Sequence, residues 1–258
     1  MNTSARDLRV LVTAGATGIG RAFAETFADA GAKVYTCDVD GDALAAFRAA
    51  RPGIGGMVAD VAVPAQVDAM FDAAAAHLGG LDVLINNAGI AGPTAPVENI
   101  SVADWDRTIA VDLNGMFYCT RRAVPLLKTA GGGSIVNLSS VAGRLGFRLR
   151  TPYSAAKWAV VGFTKSLAIE LGPSNIRVNA IQPGIVQGAR MDRVIKAKSA
   201  ALGRTEEEFE QELLSAVSLR KMVTAQDIAN MALFLATPAG ERISGQALSV
   251  CGNVEYLR

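Results

Sequence analysis

The chain has 258 residues, of which 50% are hydrophobic and 19% charged, and its 25 lysines and arginines nearly balance 24 aspartates and glutamates. A formal net charge of +1 argues against a surface that binds nucleic acid or an anionic membrane through electrostatics. The length is typical of one large α/β domain.

Cysteine and histidine are too few and too scattered to suggest a metal or disulfide framework. Cys37, Cys119 and Cys251 form no Cys-x-x-Cys pair, so neither a disulfide pattern nor a zinc site is indicated. The only histidine, His77, follows an alanine run, which is typical of a helix end. No signal-peptide pattern or long uncharged apolar run occurs, and we therefore expect a cytoplasmic protein with no membrane, metal or nucleic-acid partner.

Short apolar runs alternate with amphipathic segments along the whole chain, which is the rhythm of β-α-β units. Strands are predicted at 8–12, 33–37, 57–59, 81–86, 134–139, 176–181 and 246–250. Helices are predicted at 19–30, 65–78, 102–129, 153–171 and 225–235. Because no linker or repeat interrupts the pattern, the predicted fold is a single α/β domain, 1–258, with seven mainly parallel strands and helices on both faces.

The rhythm breaks in one long insertion, residues 187–220. Five glutamates between positions 206 and 212 lie beside Phe209, Leu213, Leu214 and Val217 at helical spacing, which predicts a helix with one solvated face. Insertions of this length within a compact domain are often functional. We therefore interpret 187–220 as a substrate-binding lid.

A glycine-rich turn follows the first strand and opens the first helix. Its sequence is Thr13-Ala14-Gly15-Ala16-Thr17-Gly18-Ile19-Gly20, with a spacing that differs from the Gly-x-Gly-x-x-Gly fingerprint. Glycines let backbone N–H groups approach a pyrophosphate, and a helix N-terminus favours its negative charge. For this turn alone, an ordinary strand-to-helix connection is the alternative.

Asp38 ends the second strand, 23 positions after Gly15. This is close to the spacing of an acid that accepts hydrogen bonds from an adenosine ribose. A carboxylate about 4 Å from a 2′-phosphate charge would cost on the order of 4 kcal/mol at an effective dielectric near 20. The sequence thus predicts NAD, with NADP as the alternative, and an ordinary turn carboxylate is the non-functional interpretation of Asp38.

Tyr153 and Lys157 lie four residues apart on a predicted helix, so a phenol and an ammonium share one face. A phenol is a poor proton acceptor at neutral pH, but a nearby positive charge favours the phenolate form. The spacing therefore indicates an acid/base pair. A surface tyrosine beside a solvated lysine is the alternative for such a short motif taken alone.

Further motifs stand in order with these: Asn86-Asn87-Ala88-Gly89, Asn114, Ser140 and Pro183-Gly184. In this combination the chain resembles the classical short-chain dehydrogenase/reductase family over essentially its full length. The resemblance implies a Rossmann-type sheet, a nicotinamide cofactor, and hydride transfer between NAD(H) and the carbon of a secondary alcohol or ketone. It also implies a homotetramer.

The resemblance assigns the chemistry to four residues. Tyr153 is the proton donor and acceptor, and Lys157 favours its phenolate form and holds the nicotinamide ribose. Ser140 binds the substrate oxygen. It is chosen over Ser139 because the family spacing places this serine thirteen residues before the tyrosine, and adjacent residues on a strand point to opposite sides of the sheet. Asn114 marks a helix irregularity that holds water for a proton relay through Lys157, with a merely helix-bending polar residue as the alternative.

Cofactor contacts follow from the same resemblance. Asp60 and Val61 match the family position that contacts the adenine ring, and the Ile185 backbone is a candidate contact for the nicotinamide carboxamide. For Asn86 and Asn87, stabilisation of the central sheet is the alternative role. The full implied set is Gly15, Thr17, Gly18, Ile19, Gly20, Asp38, Asp60, Val61, Asn87, Ala88, Gly89, Tyr153, Lys157, Pro183, Gly184 and Ile185. The chain departs from the family at Gly188, where many relatives carry threonine, and at Cys251-Gly252-Asn253.

Arginines cluster in two segments expected near the substrate: Arg144, Arg148 and Arg150 before the tyrosine, and Arg190 and Arg193 at the start of the lid. A guanidinium can clamp carboxylate, sulfonate or phosphate. We therefore expect Arg148 and Arg190 to bind an anionic substrate, with solvated side chains or subunit salt bridges as the alternative.

Two other functions fit the same sequence. One is an NADPH-dependent 3-oxoacyl-type reductase, which the family accommodates but Asp38 disfavours. The other is a non-catalytic NAD-binding regulatory protein, since a fold can outlive its chemistry; the intact set of Ser140, Tyr153 and Lys157 argues against it.

Overall fold

A computed structural model, which describes residues 3–256, contains one seven-stranded sheet in the order β3-β2-β1-β4-β5-β6-β7. Every neighbouring pair is parallel. The strands are β1 Arg9–Thr13, β2 Lys33–Asp38, β3 Gly55–Val58, β4 Val83–Asn86, β5 Gly133–Leu138, β6 Ile176–Pro183 and β7 Ala247–Val250. The predicted α/β fold is confirmed, and each predicted strand lies within about two residues of its observed bounds.

The described part of the chain contains nine α-helices. They are α1 Gly18–Asp29, α2 Gly41–Ala50, α3 Pro64–Leu78, α4 Val102–Ile109, α5 Gly115–Thr129, α6 Thr151–Leu171, α7 Ala189–Leu202, α8 Glu206–Ser215 and α9 Ala225–Ala236. Helices α2 and α7 were not predicted. Between residues 3 and 256, none of the helices has the length and apolar character needed to cross a membrane.

The sheet has an apolar core on each face, as expected for a parallel sheet between two layers of helices. One core packs α1 and α9 against the sheet and includes Phe23 and Phe27. The other packs α3, α5 and α6 and includes Met70, Phe71 and Leu127. The strands are therefore buried on both sides, which fixes where their carboxyl ends can place functional side chains.

The order of the strands creates a crevice at the carboxyl end of β1. From β1 the chain runs outward to β2 and β3, and it then crosses to the other side for β4 and the later strands. In open α/β sheets, ligands bind at such a point of reversal, beyond the carboxyl ends of the strands. The glycine-rich turn, Asp38 and the segments after β4, β5 and β6 all lie at this edge.

The predicted helix at 102–129 is interrupted by a π-helical turn, Ala110–Asn114, between α4 and α5. A π turn inserts an extra residue and changes which side chains face inward. Here Val111 and Asp112 are buried. Gly115, directly after the turn, packs on Val61, because a Cβ at position 115 would stand 2.7 Å from the Val61 Cγ2 atom. The irregularity expected near Asn114 is thus present, and it points Asp112 into the protein.

Candidate active site

Two glycines of the turn after β1, Gly15 and Gly20, are required by close packing. A Cβ on Gly15 would stand 2.0 Å from Thr36 Oγ1, and one on Gly20 would stand 1.9 Å from the Ala14 carbonyl oxygen. Gly18 has φ of +56° with open space around it, so its conformation, not its surroundings, favours glycine. The turn therefore brings bare backbone to the surface of the crevice.

Ala14 lies in the left-handed region, with φ of +52°, a conformation that costs a non-glycine residue about 1 kcal/mol. The Asn87 side chain holds it there, since its Nδ2 donates to the carbonyls of Thr13 at 2.9 Å and Ala14 at 3.0 Å. In return, the Thr13 hydroxyl accepts the backbone N–H groups of Asn87 and Ala88, both at 3.0 Å. The segment after β4 and the glycine-rich turn are thereby locked together.

The N-terminus of α1 suits a phosphate group. Thr17 occupies the cap position, but within the described chain its side chain makes no capping hydrogen bond, and the first turn contains no acidic residue. The first backbone N–H groups of a helix otherwise need such a partner, and the helix dipole favours an anion there. The chain therefore fits the pyrophosphate of a dinucleotide at this position.

Asp38 is buried at the end of β2, and both of its carboxylate oxygens contact backbone. Oδ2 accepts the Ala16 N–H at 3.1 Å, and Oδ1 accepts the Asp40 N–H at 3.2 Å. Each carboxylate oxygen can accept a further hydrogen bond, so a ribose hydroxyl can still be bound. Arg21, the basic residue directly after the glycine-rich turn, is directed to Glu25 at 3.0 Å.

Asp60 and Val61 have structural contacts of their own. The Asp60 carboxylate pairs with Arg107 of α4 at 2.9 Å and accepts the Ala62 N–H at 2.9 Å. Val61 is buried against Gly115. A role of this segment at the adenine ring stays a prediction.

Tyr153 stands between two cations. The Lys157 Nζ atom is 5.5 Å from the centre of the tyrosine ring, and the Arg150 guanidinium carbon is at the same distance. Lys157 is only 3% exposed, and its Nζ donates to the Leu138 carbonyl at 3.2 Å. A half-buried phenol beside fixed positive charge is suited to proton transfer.

The two serines after β5 make different contacts. The Ser139 hydroxyl is buried and donates to the Lys157 carbonyl at 2.8 Å, which ties the strand to α6. The Ser140 hydroxyl is half-buried and accepts the Ala142 N–H at 3.1 Å, so its own O–H can donate elsewhere. Ser140 is therefore the serine available to a substrate oxygen.

The side chain paired with Lys157 is that of Asp112, which the sequence analysis did not single out. Asp112 Oδ2 lies 3.6 Å from Lys157 Nζ, and Oδ1 accepts the Ile90 N–H at 2.6 Å. The water relay predicted at Asn114 stays a prediction. The acidic residue within the otherwise apolar run Ala110-Val111-Asp112-Leu113 was the signal for a buried carboxylate.

A buried polar network supports the floor of the crevice. Asn86 donates to Asn137 at 2.9 Å and to Thr120 of α5 at 3.2 Å, and Asn137 donates to Thr164 of α6 at 3.0 Å. These bonds connect β4 and β5 with α5 and with α6, the helix that carries Tyr153. Buried polar side chains bonded in this way hold neighbouring elements in one arrangement.

Comparison with known proteins agrees with this geometry. Residues 13–253 match the protein family described as enoyl-(acyl carrier protein) reductase. The chain is 39% identical to trans-4-hydroxycyclohexanecarboxylate dehydrogenase of Sinomonas cyclohexanicum, over 94% of this chain and 90% of the relative. The crystal structure of NAD+-bound xylitol dehydrogenase superposes with a TM-score of 0.89 at 28% identity, covering 96% of this chain and 98% of that one.

A third relative is the (2S)-[(R)-hydroxy(phenyl)methyl]succinyl-CoA dehydrogenase subunit BbsD of Thauera aromatica. It is 39% identical over 94% of each chain. The chain belongs to the classical short-chain dehydrogenase/reductase family. It is therefore an oxidoreductase that acts on CH–OH groups or the corresponding carbonyls.

In this short-chain dehydrogenase/reductase the segment after β6 is held by the C-terminal strand. The Gly184 N–H donates to the Val250 carbonyl at 3.0 Å, and a Cβ on Gly184 would stand 2.7 Å from the Cys251 Cβ. The Ile185 carbonyl accepts the Val223 N–H at 2.9 Å. Pro183, Gly184 and Ile185 thus form a fixed wall of the crevice, and their contact with a cofactor stays a prediction.

The arginines of this dehydrogenase/reductase divide into structural and exposed groups. Arg144 donates to the Val254 carbonyl at 2.9 Å, and Arg150 donates to the Ala91 carbonyl at 2.8 Å and to Thr94 at 2.9 Å. Arg148 and Arg193 are exposed. The side chain of Arg190, the other predicted substrate contact, lies outside the part of the chain that the structure describes.

Proposed function

We propose that the protein transfers hydride between NAD(H) and a secondary alcohol or ketone that carries an anionic group. The single observation that carries the choice of NAD is the buried Asp38 carboxylate, fixed 3.1 Å from the Ala16 N–H beside the glycine-rich turn. A negative charge held in that place disfavours a 2′-phosphate. When bound, a nicotinamide would supply the hydride acceptor or donor.

The chain's own residues then handle the proton. Tyr153 takes the proton of the alcohol hydroxyl as a phenolate and returns it to the oxygen when a ketone is reduced. Ser140 donates a hydrogen bond to the same oxygen, which lowers the free energy of the developing charge. Lys157, held by Leu138 and Asp112, favours the phenolate and binds the nicotinamide ribose hydroxyls.

A substrate screen tests this function. Secondary alcohols and ketones with and without a carboxylate, sulfonate or phosphate would be assayed with NAD(H) and NADP(H), following nicotinamide absorbance. We expect turnover with NAD(H). Cofactor binding without turnover across the panel would favour the regulatory NAD-binding protein, and turnover of 3-oxoacyl thioesters with NADPH alone would favour the other alternative.

We expect Asp38→Ser to weaken the preference for NAD by about tenfold, measured as the ratio of kcat/KM with NAD to kcat/KM with NADP. The reason is that the substitution removes the charge that repels a 2′-phosphate. It also removes an acceptor for the Ala16 N–H, so this variant alone does not separate the loss of charge from the loss of the hydrogen bond.

Asp38→Asn is the matched control, since its amide oxygen can still accept the Ala16 N–H while the charge is lost. If charge sets the preference, both variants lose it. If only the serine variant loses the preference for NAD, the carboxylate sets that preference by holding the turn in shape through its hydrogen bond. Equal efficiencies of the unmodified enzyme with both cofactors would contradict the NAD assignment.

The anionic substrate rests on the exposed arginines. Arg148 lies between Ser140 and Tyr153, and Arg193 lies in α7 at the start of the 187–220 segment, which we propose closes over the substrate. Among the described residues, neither takes part in an ion pair, whereas Arg144 and Arg150 contact backbone carbonyls. The names of the Sinomonas and Thauera relatives include a carboxylate and an acyl-CoA, which supports this substrate class.

We expect Arg148→Ala to raise KM for an acidic hydroxy or keto compound by about tenfold, with little change for its neutral isostere. Arg190→Ala and Arg193→Ala test the lid in the same way. Arg242→Ala, which removes an exposed arginine paired with Glu241, is the control. Unchanged discrimination in all three variants would mean that apolar shape sets specificity.

Assembly as a homotetramer is supported by large apolar side chains exposed on the long helices, such as Phe117 on α5 and Trp158 and Ile169 on α6. Large apolar patches on a protein surface often mark contacts with another protein. Light scattering that returned a monomer at micromolar concentration would contradict the assembly. Location in the cytoplasm stays a prediction from sequence.

A further inference from the structure

A carboxylate is buried directly behind the lysine that serves the tyrosine. The Asp112 side chain is 0% exposed and the Lys157 side chain is 4% exposed, with Oδ2 and Nζ 3.6 Å apart. The Ile90 N–H fixes the other carboxylate oxygen at 2.6 Å. A Cβ on Gly89 would stand 3.2 Å from both the Asp112 Oδ1 and the Lys157 Nζ atoms, so both charged ends lie against the bare backbone of the segment after β4.

This arrangement changes the charge that Tyr153 experiences. An isolated lysine would present a full positive charge 5.5 Å from the ring centre. With Asp112 behind it, the pair is neutral as a whole. Charges in a water-poor interior act on one another more strongly than at the surface, so the negative member of the pair counts in the balance between phenol and phenolate.

Other charges near the tyrosine are accounted for. Arg150 lies over the ring and is held by Ala91 and Thr94. The remaining charged side chains on α6, on the loop before it and on the elements packed against it are directed elsewhere or lie at the surface: Asp104, Asp106, Arg107, Arg144, Arg148, Lys165, Glu170 and Arg177. Asp112 is thus the acidic group positioned to oppose Lys157.

We propose that Asp112 is a positioning residue that sets the pH range of catalysis by offsetting the charge of Lys157. The proposal rests on the proposed role of Tyr153 as the acid/base. The Lys157 ammonium has two competing anionic partners, the Asp112 carboxylate and the Tyr153 phenolate. While the carboxylate is present, less is gained by forming the phenolate, so the alcohol is oxidised efficiently only at higher pH.

Asp112→Asn removes the charge and keeps the shape. The phenolate is then the anionic partner left to Lys157, so it forms at lower pH. We expect the midpoint of the pH–rate profile for alcohol oxidation to move down by about one pH unit. Asp112→Glu, which keeps the charge, should stay near the unmodified midpoint.

A second readout does not depend on catalysis. The ultraviolet absorbance of phenolate, titrated in the cofactor-free protein with Tyr153→Phe as the blank, follows the ionisation of Tyr153 directly. The same downward shift is expected there in Asp112→Asn. Asp82→Asn is the structural control. Like Asp112, Asp82 pairs with a basic side chain, that of Arg9 at 2.7 Å, but it lies at the opposite end of the sheet from Tyr153.

The outcomes separate the two levels of the proposal. A downward shift in Asp112→Asn, with none in Asp82→Asn, supports the role of Asp112. An unchanged midpoint, or an upward shift because Lys157 itself loses its proton, overturns it. If Asp112→Asn does not fold, Asp112→Ser makes the same change of charge and is judged by the same shift. Full activity of Tyr153→Phe would instead overturn the function on which the proposal rests.

Discussion

Replacing Tyr153 by phenylalanine is expected to reduce turnover by about a thousandfold, which is within the range that general acid–base catalysis contributes. The change removes the phenol oxygen to which we assign the exchange of the substrate proton. It keeps the ring that lies between Arg150 and Lys157, so folding and cofactor binding should be nearly unchanged. Steady-state kinetics, fluorescence titration of the cofactor and thermal unfolding measure the three quantities.

Tyr118→Phe provides a matched control for this substitution. Tyr118 is also half-buried, but it lies on α5 and packs beside Phe117, with ring centres 5.7 Å apart. We expect it to retain normal turnover. Turnover of Tyr153→Phe close to that of the unmodified enzyme would remove Tyr153 from the mechanism.

Replacing Lys157 by methionine is expected to affect three properties together. The phenolate loses its counter-ion while the Asp112 charge remains, so the pH–rate profile should shift to higher pH. The cofactor should bind at least about tenfold more weakly because the ribose hydroxyls lose a charged hydrogen-bond donor. The free energy of unfolding should fall by roughly 3–5 kcal/mol, as when one member of a buried ion pair is removed.

The double variant Lys157→Met with Asp112→Asn separates these effects. Removing both charges should recover much of the free energy of unfolding, while cofactor affinity remains low because the donor is still missing. Recovery of affinity together with stability would mean that the single variant bound poorly only because it was partly unfolded. An unchanged pH profile and affinity in the single variant would contradict both roles of Lys157.

The sequence predicted the sheet well because its signals are local. A parallel strand buried on both faces is a short apolar run, and the seven runs match the seven strands. Helix α2 was missed although Asp40 accepts the Ala43 N–H at 2.9 Å as its cap and Leu44 and Phe47 are buried. Its cap residue lies two positions after Asp38, for which the sequence offered a ribose-binding acid or a turn carboxylate, and neither interpretation predicts the start of a helix.

The pairing of Asp112 with Lys157 could not be recognised from spacing. Helical periodicity assigns faces at 3.6 residues per turn, and a π turn shifts this phase within a single turn. The polar Asn114 marked the irregular region, but the backbone directs Asp112 to the lysine. Only the structure, which brings α6 against this turn, shows which of the two side chains faces inward.

The arginines show a different limit of sequence reasoning. Arg144, Arg148 and Arg150 are alike in type and close in sequence, yet two of them bind carbonyl groups far along the chain, at Val254 and Ala91. Their partners depend on how distant loops meet at the edge of the sheet. No local pattern distinguishes an arginine that holds a loop from one that is exposed to a substrate.

The two hydrogen bonds of Asp38 restrict how this enzyme can evolve. The carboxylate accepts the Ala16 N–H of the glycine-rich turn, and under the proposed NAD specificity the same charge disfavours a 2′-phosphate. A lineage that came to use NADP by losing this acid would also lose the hydrogen bond to the Ala16 N–H, so its first mutants would bind either cofactor less tightly. A change of cofactor is therefore expected to need at least two steps, with a new acceptor for the Ala16 N–H arising before or together with the loss of the charge.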